Sequence, residues 1–412
     1  MQTATIAKQL NSIVALFELG FPVGDGGDEC RTFYANDDYP LSLVGKNRNE
    51  FEEAIDALLQ SLPGVKGTIS KRFLIDKLVP VIREKKVKEE TFSAADTDQL
   101  EKNICDLPVQ RYRVLRPIKG VDIAPDKTPV EFGDFKIDFG RNLLVIQTED
   151  HMLNITLNTA KAAQQDQLFI QCDVSARESG YATDRADELF YRFELIFRFL
   201  IGTRTNWVKV GILNYTGAQM RDQFVYSEIN KPVGHGSSWR GALQPFLLKD
   251  PRFPQPTPPF TRLFELITRH NSDLEKHILR CAEWTGQAIG EPNEAAALVK
   301  AAIALEVLFS SNEKGLITPS IMAQISESCA FLLGNDAEAA LKVEREVKRL
   351  YGIRSSVVHS GKDSVDPKDL QAFIWICRNV VIQLLSRDEF DKIDSVEKLA
   401  AQLRAKKYAA IG

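Results

Sequence analysis

The chain has 412 residues, of which 44% are hydrophobic, and it carries 52 Lys and Arg against 56 Asp and Glu. This length predicts two or three domains with enough core to fold without disulfide bonds. The near balance of charge excludes a protein whose whole surface attracts nucleic acid, so any such binding would depend on a local patch.

The six cysteines form no C-x-x-C pair, and none has a histidine neighbour at the spacing of metal ligands. This pattern disfavours a zinc site and a disulfide framework, and it predicts reduced thiols in the cytoplasm. The N-terminal stretch lacks the pattern of a signal peptide, and no apolar run approaches the roughly 20 residues that span a bilayer. We therefore expect a cytoplasmic protein with no membrane partner, no metal and no cofactor.

Residues 1–105 are predicted to be a mainly helical N-terminal region, because apolar residues recur there at helical spacing. In residues 106–250 short β-branched and aromatic segments predict an α+β domain for sensing, or for binding a substrate or partner. One amphipathic helix interrupts these segments, with Thr183 as its predicted N-cap and Gly202 just beyond its end. The predicted strands are 111–115, 135–139, 143–147, 168–174 and 207–213.

Residues 251–259 are rich in proline, which fixes φ and removes a backbone donor. They predict a stiff, extended connector through which neither a helix nor a central strand can run.

Residues 260–412 have a helical pattern throughout and predict an all-α bundle. Its first helix is predicted over 261–284. A later helix is expected to begin near Asp336 and to end at Gly361. The following helix is expected to begin with Asp366 as the N-cap and proline at the first helical position.

The helix that ends at Gly361 carries an unusual residue. On an ideal helix, Arg354 lies in the middle of an apolar face that includes Val347 and Leu350. A guanidinium there is costly unless it is paired or functional, because it stays charged. His359 follows in the last turn, about 140° around the helix from Arg354. The two side chains converge on one partner only if that turn relaxes or a second copy of the helix completes the site.

The segment LYGIRSSVVHSG, residues 350–361, contains the pattern Arg-x4-His. It resembles the signature of HEPN domains, and it is most similar to the ApeA-like branch. The resemblance covers about residues 293–390 and implies a C-terminal HEPN bundle. HEPN proteins are typically metal-independent RNA endonucleases in which two copies form one composite site. It therefore implies an RNA substrate, a homodimer and a bacterial anti-phage or toxin role. The resemblance does not extend to residues 1–250. We expect this region to sense a phage-derived trigger or a partner protein, because a free RNA-cutting enzyme would be toxic to its own cell.

By this resemblance, Arg354 would hold the scissile phosphate and His359 would act as general acid or base. The nucleophile would be the RNA 2′-hydroxyl, which leaves a cyclic phosphate. Ser355 stands where the superfamily commonly has an amide, acid or imidazole, and a hydroxyl is a weaker hydrogen-bonding group. Glu306 and Tyr351 are the other supporting candidates.

Lys348 and Arg349 lie near the motif and are candidates for RNA contacts, although pairing with acids along the same helix is the simpler explanation. Arg354 has a structural alternative as well, in which it pairs with Glu306 while His359 caps the end of its helix. The bundle would then be a non-catalytic dimerisation or sensing module. A regulatory subunit of a nucleic-acid-guided complex is a third possibility.

Overall fold

The computed structural model describes residues 2–20, 30–33, 40–62, 64–124, 126, 128–143, 162, 164–204, 210–213, 219–226, 232–240, 246–248, 258–309, 321–361 and 363–409. The chain divides into two compact units, Met1–Val114 with Asp173–Asp187, and Leu115–Cys172 with Glu188–Gly412. These units do not coincide with the domains expected from the sequence, because the chain leaves the first unit and later returns to it. Among the described residues, no helix combines the length and apolar character that crossing a membrane requires.

The first unit is mainly helical, as predicted, and its helices pack around one apolar core. The helices are α1 (Gln2–Ala15), α2 (Asn47–Ser61), α3 (Lys71–Val87) and α4 (Ala94–Cys105). It also contains an antiparallel sheet, in the order β1-β3-β2, that the sequence did not predict. The strands are β1 (Glu18–Leu19), β2 (Cys30–Phe33) and β3 (Leu41–Val44). They are too short for alternation of polar and apolar residues to be recognised.

A second sheet has four strands in the order β4-β8-β7-β6, and the β6–β7 and β7–β8 pairs are antiparallel. Its strands are β4 (Gln110–Pro117), β6 (Val130–Phe132), β7 (Phe135–Phe139) and β8 (Leu168–Ala176), whereas β5 (Val121–Asp122) pairs elsewhere, with β11 (Phe246–Leu247). The remaining hairpin is β9 (Gln219–Tyr226) with β10 (Pro232–Arg240). The predicted strand 135–139 is confirmed, and strands 111–115 and 168–174 are confirmed with longer ends.

Two other predicted strands are not supported. Leu143 ends the short helix α5 (Gly140–Leu143), and residues 144–147 lie outside the described residues. Residues 207–209 also lie outside them, and Gly211 makes only an isolated bridge to Lys119.

The interrupting helix, α6 (Ser179–Ile201), begins four residues before the predicted N-cap. Thr183 lies inside it and donates to the Ser179 carbonyl at 2.9 Å. The free amides of the first turn bind the Glu178 carboxylate instead. It accepts hydrogen bonds from the amides of Gly180 at 2.6 Å and Tyr181 at 2.7 Å. Gly202 follows the helix with φ +74°, as predicted.

Seven helices follow the proline-rich stretch in the described part of the chain. They are α7 (Pro258–Thr268), α8 (Asp273–Gly290), α9 (Glu294–Phe309), α10 (Ile321–Leu333), α11 (Ala337–Ser360), α12 (Pro367–Ser386) and α13 (Val396–Ala409). The predicted helix 261–284 is two helices, because Ser272 and Glu275 form a reciprocal capping box that starts α8. Residues 251–257 of the connector lie outside the described residues. Its last two prolines start α7, since the first turn needs no amide donor there.

The C-terminal half of α6 packs with the helices of this bundle. The bundle therefore includes residues outside the predicted range 260–412. Arg192 forms an ion pair with Glu283 of α8 at 2.5 Å. Arg378 of α12 donates to the carbonyls of Phe199 at 2.7 Å and Leu200 at 2.9 Å, so it caps the end of α6. Buried aromatic rings from α6, α7 and the sheet pack beside these contacts: Phe132, Phe135, Phe193, Phe197 and Phe264.

Candidate functional site

The helix α11 carries the Arg-x4-His motif and is regular to its end. The Asp336 side chain accepts the amide of Ala339 at 2.7 Å, and Gly361 ends the helix with φ +62°. Because the last turn remains helical, it does not bring Arg354 and His359 onto one face. The single chain therefore presents the two side chains separately.

Arg354 is half-buried and lies against α9. Its Nη2 is 3.5 Å from Oε1 of Glu306, and the two side chains are 28% and 27% exposed. Its Nε is buried and has no hydrogen-bond acceptor among the described residues. Leaving a buried donor unsatisfied costs about 1–3 kcal/mol. Within the part of the chain that the structure describes, Arg354 is thus held by one ion pair, and part of its hydrogen-bonding capacity stays unused.

His359 lies at the exposed end of α11, and Ser355 is exposed as well. Neither side chain makes a hydrogen bond to another residue in the described ranges. No residue between 352 and 360 is buried, although the segment contains Ile353, Val357 and Val358. The Val358 side chain is 48% exposed. The end of the helix therefore presents His359 and the apolar side chain of Val358 to solvent.

Tyr351 fixes α11 against its neighbours one turn before Arg354. Its hydroxyl donates to the Ala302 carbonyl at 3.1 Å, and its ring packs edge-on against Phe373 at 5.6 Å. Burial, followed by the nearby Glu306 carboxylate, raises the pKa of Tyr351. The residue therefore stays neutral and positions the backbone of α11.

Lys348 and Arg349 are held in ion pairs. Lys348 pairs with Glu344 at 2.5 Å, and Arg349 pairs with Glu346 at 2.7 Å and with Asp369 at 2.6 Å. Hydrogen bonds to these two carboxylates raise the pKa of Arg349. Both cations are compensated within the bundle, as in the simpler of the two interpretations of the sequence.

Three cysteines from different helices lie in the core of the bundle. Burial raises the pKa of Cys281, Cys329 and Cys377, in the last case to about 12. These thiols therefore remain protonated and inert at neutral pH. Within the described ranges, no group of three or more His, Cys, Asp or Glu is arranged to hold a metal ion.

The first unit contains a cleft of about 620 Å³ that sequence analysis did not find, because its walls come from separate segments. Its basic residues are largely compensated. Arg31 pairs with Glu52 at 2.5 Å, and Lys71 pairs with Glu52 at 2.7 Å and with Asp56 at 2.9 Å. In the sequence, this cleft is indicated only by Lys71 and Arg72, two cations in the first turn of α3, where acidic residues are usual.

No family profile, curated protein or solved structure matches this chain.

Proposed function

We propose that the C-terminal bundle is a metal-independent RNA endonuclease of the HEPN type. The observation that carries the proposal is Arg354, a half-buried cation that has, among the described residues, one long ion pair and a buried Nε without an acceptor. A buried polar group without a hydrogen-bond partner is rare in proteins and requires an explanation. One explanation is an anionic ligand that binds at this position. A phosphate supplies several acceptor oxygens and a negative charge, which suits a guanidinium.

The chemistry follows from the resemblance of the motif. Arg354 binds the scissile phosphate and stabilises the charge that develops on it. The 2′-oxygen attacks phosphorus, the bond to the 5′-oxygen breaks, and a cyclic phosphate remains. His359 removes the proton of the 2′-hydroxyl or supplies one to the leaving oxygen, and its exposure leaves it accessible to RNA.

Cleavage in excess EDTA tests this function. The purified full-length protein is expected to cut RNA under these conditions, and His359→Ala is expected to lower the rate by about 100-fold or more. The matched control is His270→Ala, which removes another exposed histidine, two residues beyond the end of α7. Activity that requires Mg²⁺, or that survives His359→Ala unchanged, contradicts the proposal.

We further propose that the active form is a homodimer, because one chain does not bring Arg354 and His359 together. The exposed apolar residue Val358, next to His359, suits a contact with a second copy near the two-fold axis. Val358→Asp is expected to dissociate the dimer and to abolish cleavage. Leu341→Asp is the control, since Leu341 is 52% exposed near the other end of the same helix. A wild-type protein that light scattering shows to be monomeric while it cleaves RNA contradicts this arrangement.

In the cellular setting that we propose, the enzyme is cytoplasmic, and residues 1–250 respond to a phage-derived trigger or a partner protein. The second candidate function is a non-catalytic dimerisation or sensing module. It is favoured by the Arg354–Glu306 pair, which by itself explains a guanidinium on an apolar face. In that case the wild type cleaves no RNA, and Arg354→Met only lowers the melting temperature.

A further inference from the structure

Glu306 occupies an unfavourable place in its own helix. It lies in the last turn of α9, which ends at Phe309, and the partial negative charge of a helix C-terminus repels a carboxylate. Among the described residues, Arg354 is the only cation within ion-pair distance of it. The carboxylate is therefore placed to meet the Arg354 guanidinium rather than to stabilise α9.

The contact between Glu306 and Arg354 is loose. The Nη2–Oε1 distance of 3.5 Å is an ion pair, and each side chain keeps more than a quarter of its surface exposed. Partly exposed pairs of this kind are weak and screened by salt. A carboxylate held this weakly can be displaced by an anion that makes more hydrogen bonds to the same guanidinium.

Buried contacts tie together the helices that carry the pair, so the exchange requires only side-chain motion. Tyr351 and Phe373 are buried and in contact, and the Tyr351 hydroxyl is bound to Ala302, one turn before Glu306. These contacts keep α9 and α11 at a constant separation, whereas the Glu306 carboxylate reaches solvent by rotating about its own bonds.

We propose that Glu306 is an internal substitute for the substrate phosphate, which occupies Arg354 in the free protein and must leave when RNA binds. This inference rests on the proposed function and adds a built-in restraint to the same site. A phosphate on Arg354 would lie beside the Glu306 carboxylate, and the two negative charges repel each other. Glu306 therefore weakens RNA binding instead of supporting it.

The test is binding of a 2′-O-methyl oligoribonucleotide, which the proposed reaction cannot cleave, to the full-length protein in EDTA. Glu306→Gln keeps the size of the side chain and removes its charge. It is expected to bind the probe about fivefold more tightly than wild type, the upper range for loss of a weak competing ion pair. Glu338→Gln is the control, because it removes a carboxylate from an exposed pair with Lys342 on α11.

A double-mutant cycle assigns the effect to the pair. In an Arg354→Met background, Glu306→Gln is expected to produce no gain, since the guanidinium for which carboxylate and phosphate compete is gone. Should Glu306→Gln prove unfolded, Glu306→Asp withdraws the carboxylate by one methylene and is expected to give a smaller gain.

The outcomes separate this inference from the proposed function. If the wild type binds and cleaves RNA while Glu306→Gln binds equally or more weakly, Glu306 positions Arg354 and the restraint is excluded. If neither protein binds the probe nor cleaves RNA, both the proposed function and the inference are wrong. If Glu306→Gln binds more tightly but Arg354→Met does not remove the gain, the effect does not pass through Arg354, and the inference is again overturned.

Discussion

A fragment that begins at Phe260 and ends at Gly412 is expected not to fold, although the sequence pattern of this stretch is that of a complete bundle. The reason is the loss of the C-terminal half of α6. Four buried phenylalanines of this helix segment leave the core: Phe190, Phe193, Phe197 and Phe199. Their burial is worth roughly 6–12 kcal/mol, which is comparable with the 5–15 kcal/mol that stabilises a typical domain.

The loss of α6 also removes specific partners of the bundle. The Arg378 guanidinium loses the two carbonyls that it caps, and Glu283 loses Arg192. Circular dichroism is expected to show low helicity and no cooperative thermal transition for the fragment. A fragment of residues 115–412, which contains the whole second unit, is expected to retain such a transition. A 260–412 fragment that melts cooperatively with native-like helicity contradicts the role assigned to α6.

The substitution Gly286→Ala is expected to be strongly destabilising, because Gly286 of α8 lies directly against the backbone of α6. A Cβ atom at this position would lie 2.1 Å from the Leu195 carbonyl oxygen and 2.7 Å from its carbon. Backbone atoms cannot rotate away, so the two helices would have to separate. We expect a loss of about 3 kcal/mol or more, the upper range for overpacking, and a melting temperature lower by roughly 6–12 °C.

Gly352→Ala is the matched control for this experiment. Gly352 also lies within a helix, α11, but apart from the adjacent backbone of that helix, a Cβ there would meet no described atom within 4 Å. Replacing an exposed helical glycine with alanine stabilises a protein by about 0.5–1 kcal/mol, so this variant should melt slightly higher than wild type. The contact between α6 and α8 is excluded as the cause if both variants shift the melting temperature in the same direction.

These two predictions bear on how the candidate site is studied. Helix α9, which carries Glu306, and helix α11, which carries Arg354, lie in the unit that α6 completes. An assay of the isolated stretch 260–412 would measure an incomplete bundle, and a lack of activity there would carry no information about Arg354 and His359. The cleavage and binding experiments therefore require the full chain.

Local signals in the sequence determined several elements correctly. Asp336, Gly361 and the Asp366–Pro367 pair mark helix ends through capping, which depends on only a few neighbouring residues. The spacing of apolar residues also placed Arg354 on a face turned towards the bundle and indicated Glu306 as a partner, as the structure shows. Helical periodicity is set by the backbone, so it can be read without knowledge of the fold.

Two helix boundaries differ from the sequence prediction, although residues near them have the character of helix caps. Ser272 and Glu275 have the spacing of a capping box, which divides the predicted helix 261–284. Thr183 has the character of an N-cap, yet the Glu178 carboxylate starts α6 four residues earlier. A capping residue acts only at the first residue before a helix. In α6 the hydrogen bonds that Glu178 accepts from Gly180 and Tyr181 place this start before Thr183.

Only the tertiary structure decided which segments share a core. Nothing local distinguishes Gly286, which contacts α6, from Gly352, which lies in open space, because the difference depends on a helix some 90 residues away in sequence. The separation of Arg354 and His359 around α11 follows from helix geometry alone, whereas the contact of Arg354 with Glu306 and the exposure of His359 depend on packing. The amino-acid pattern thus determined the helices and the charge on their faces. Long-range packing determined the assembly of the bundle, because burial depends on residues that are distant in the sequence.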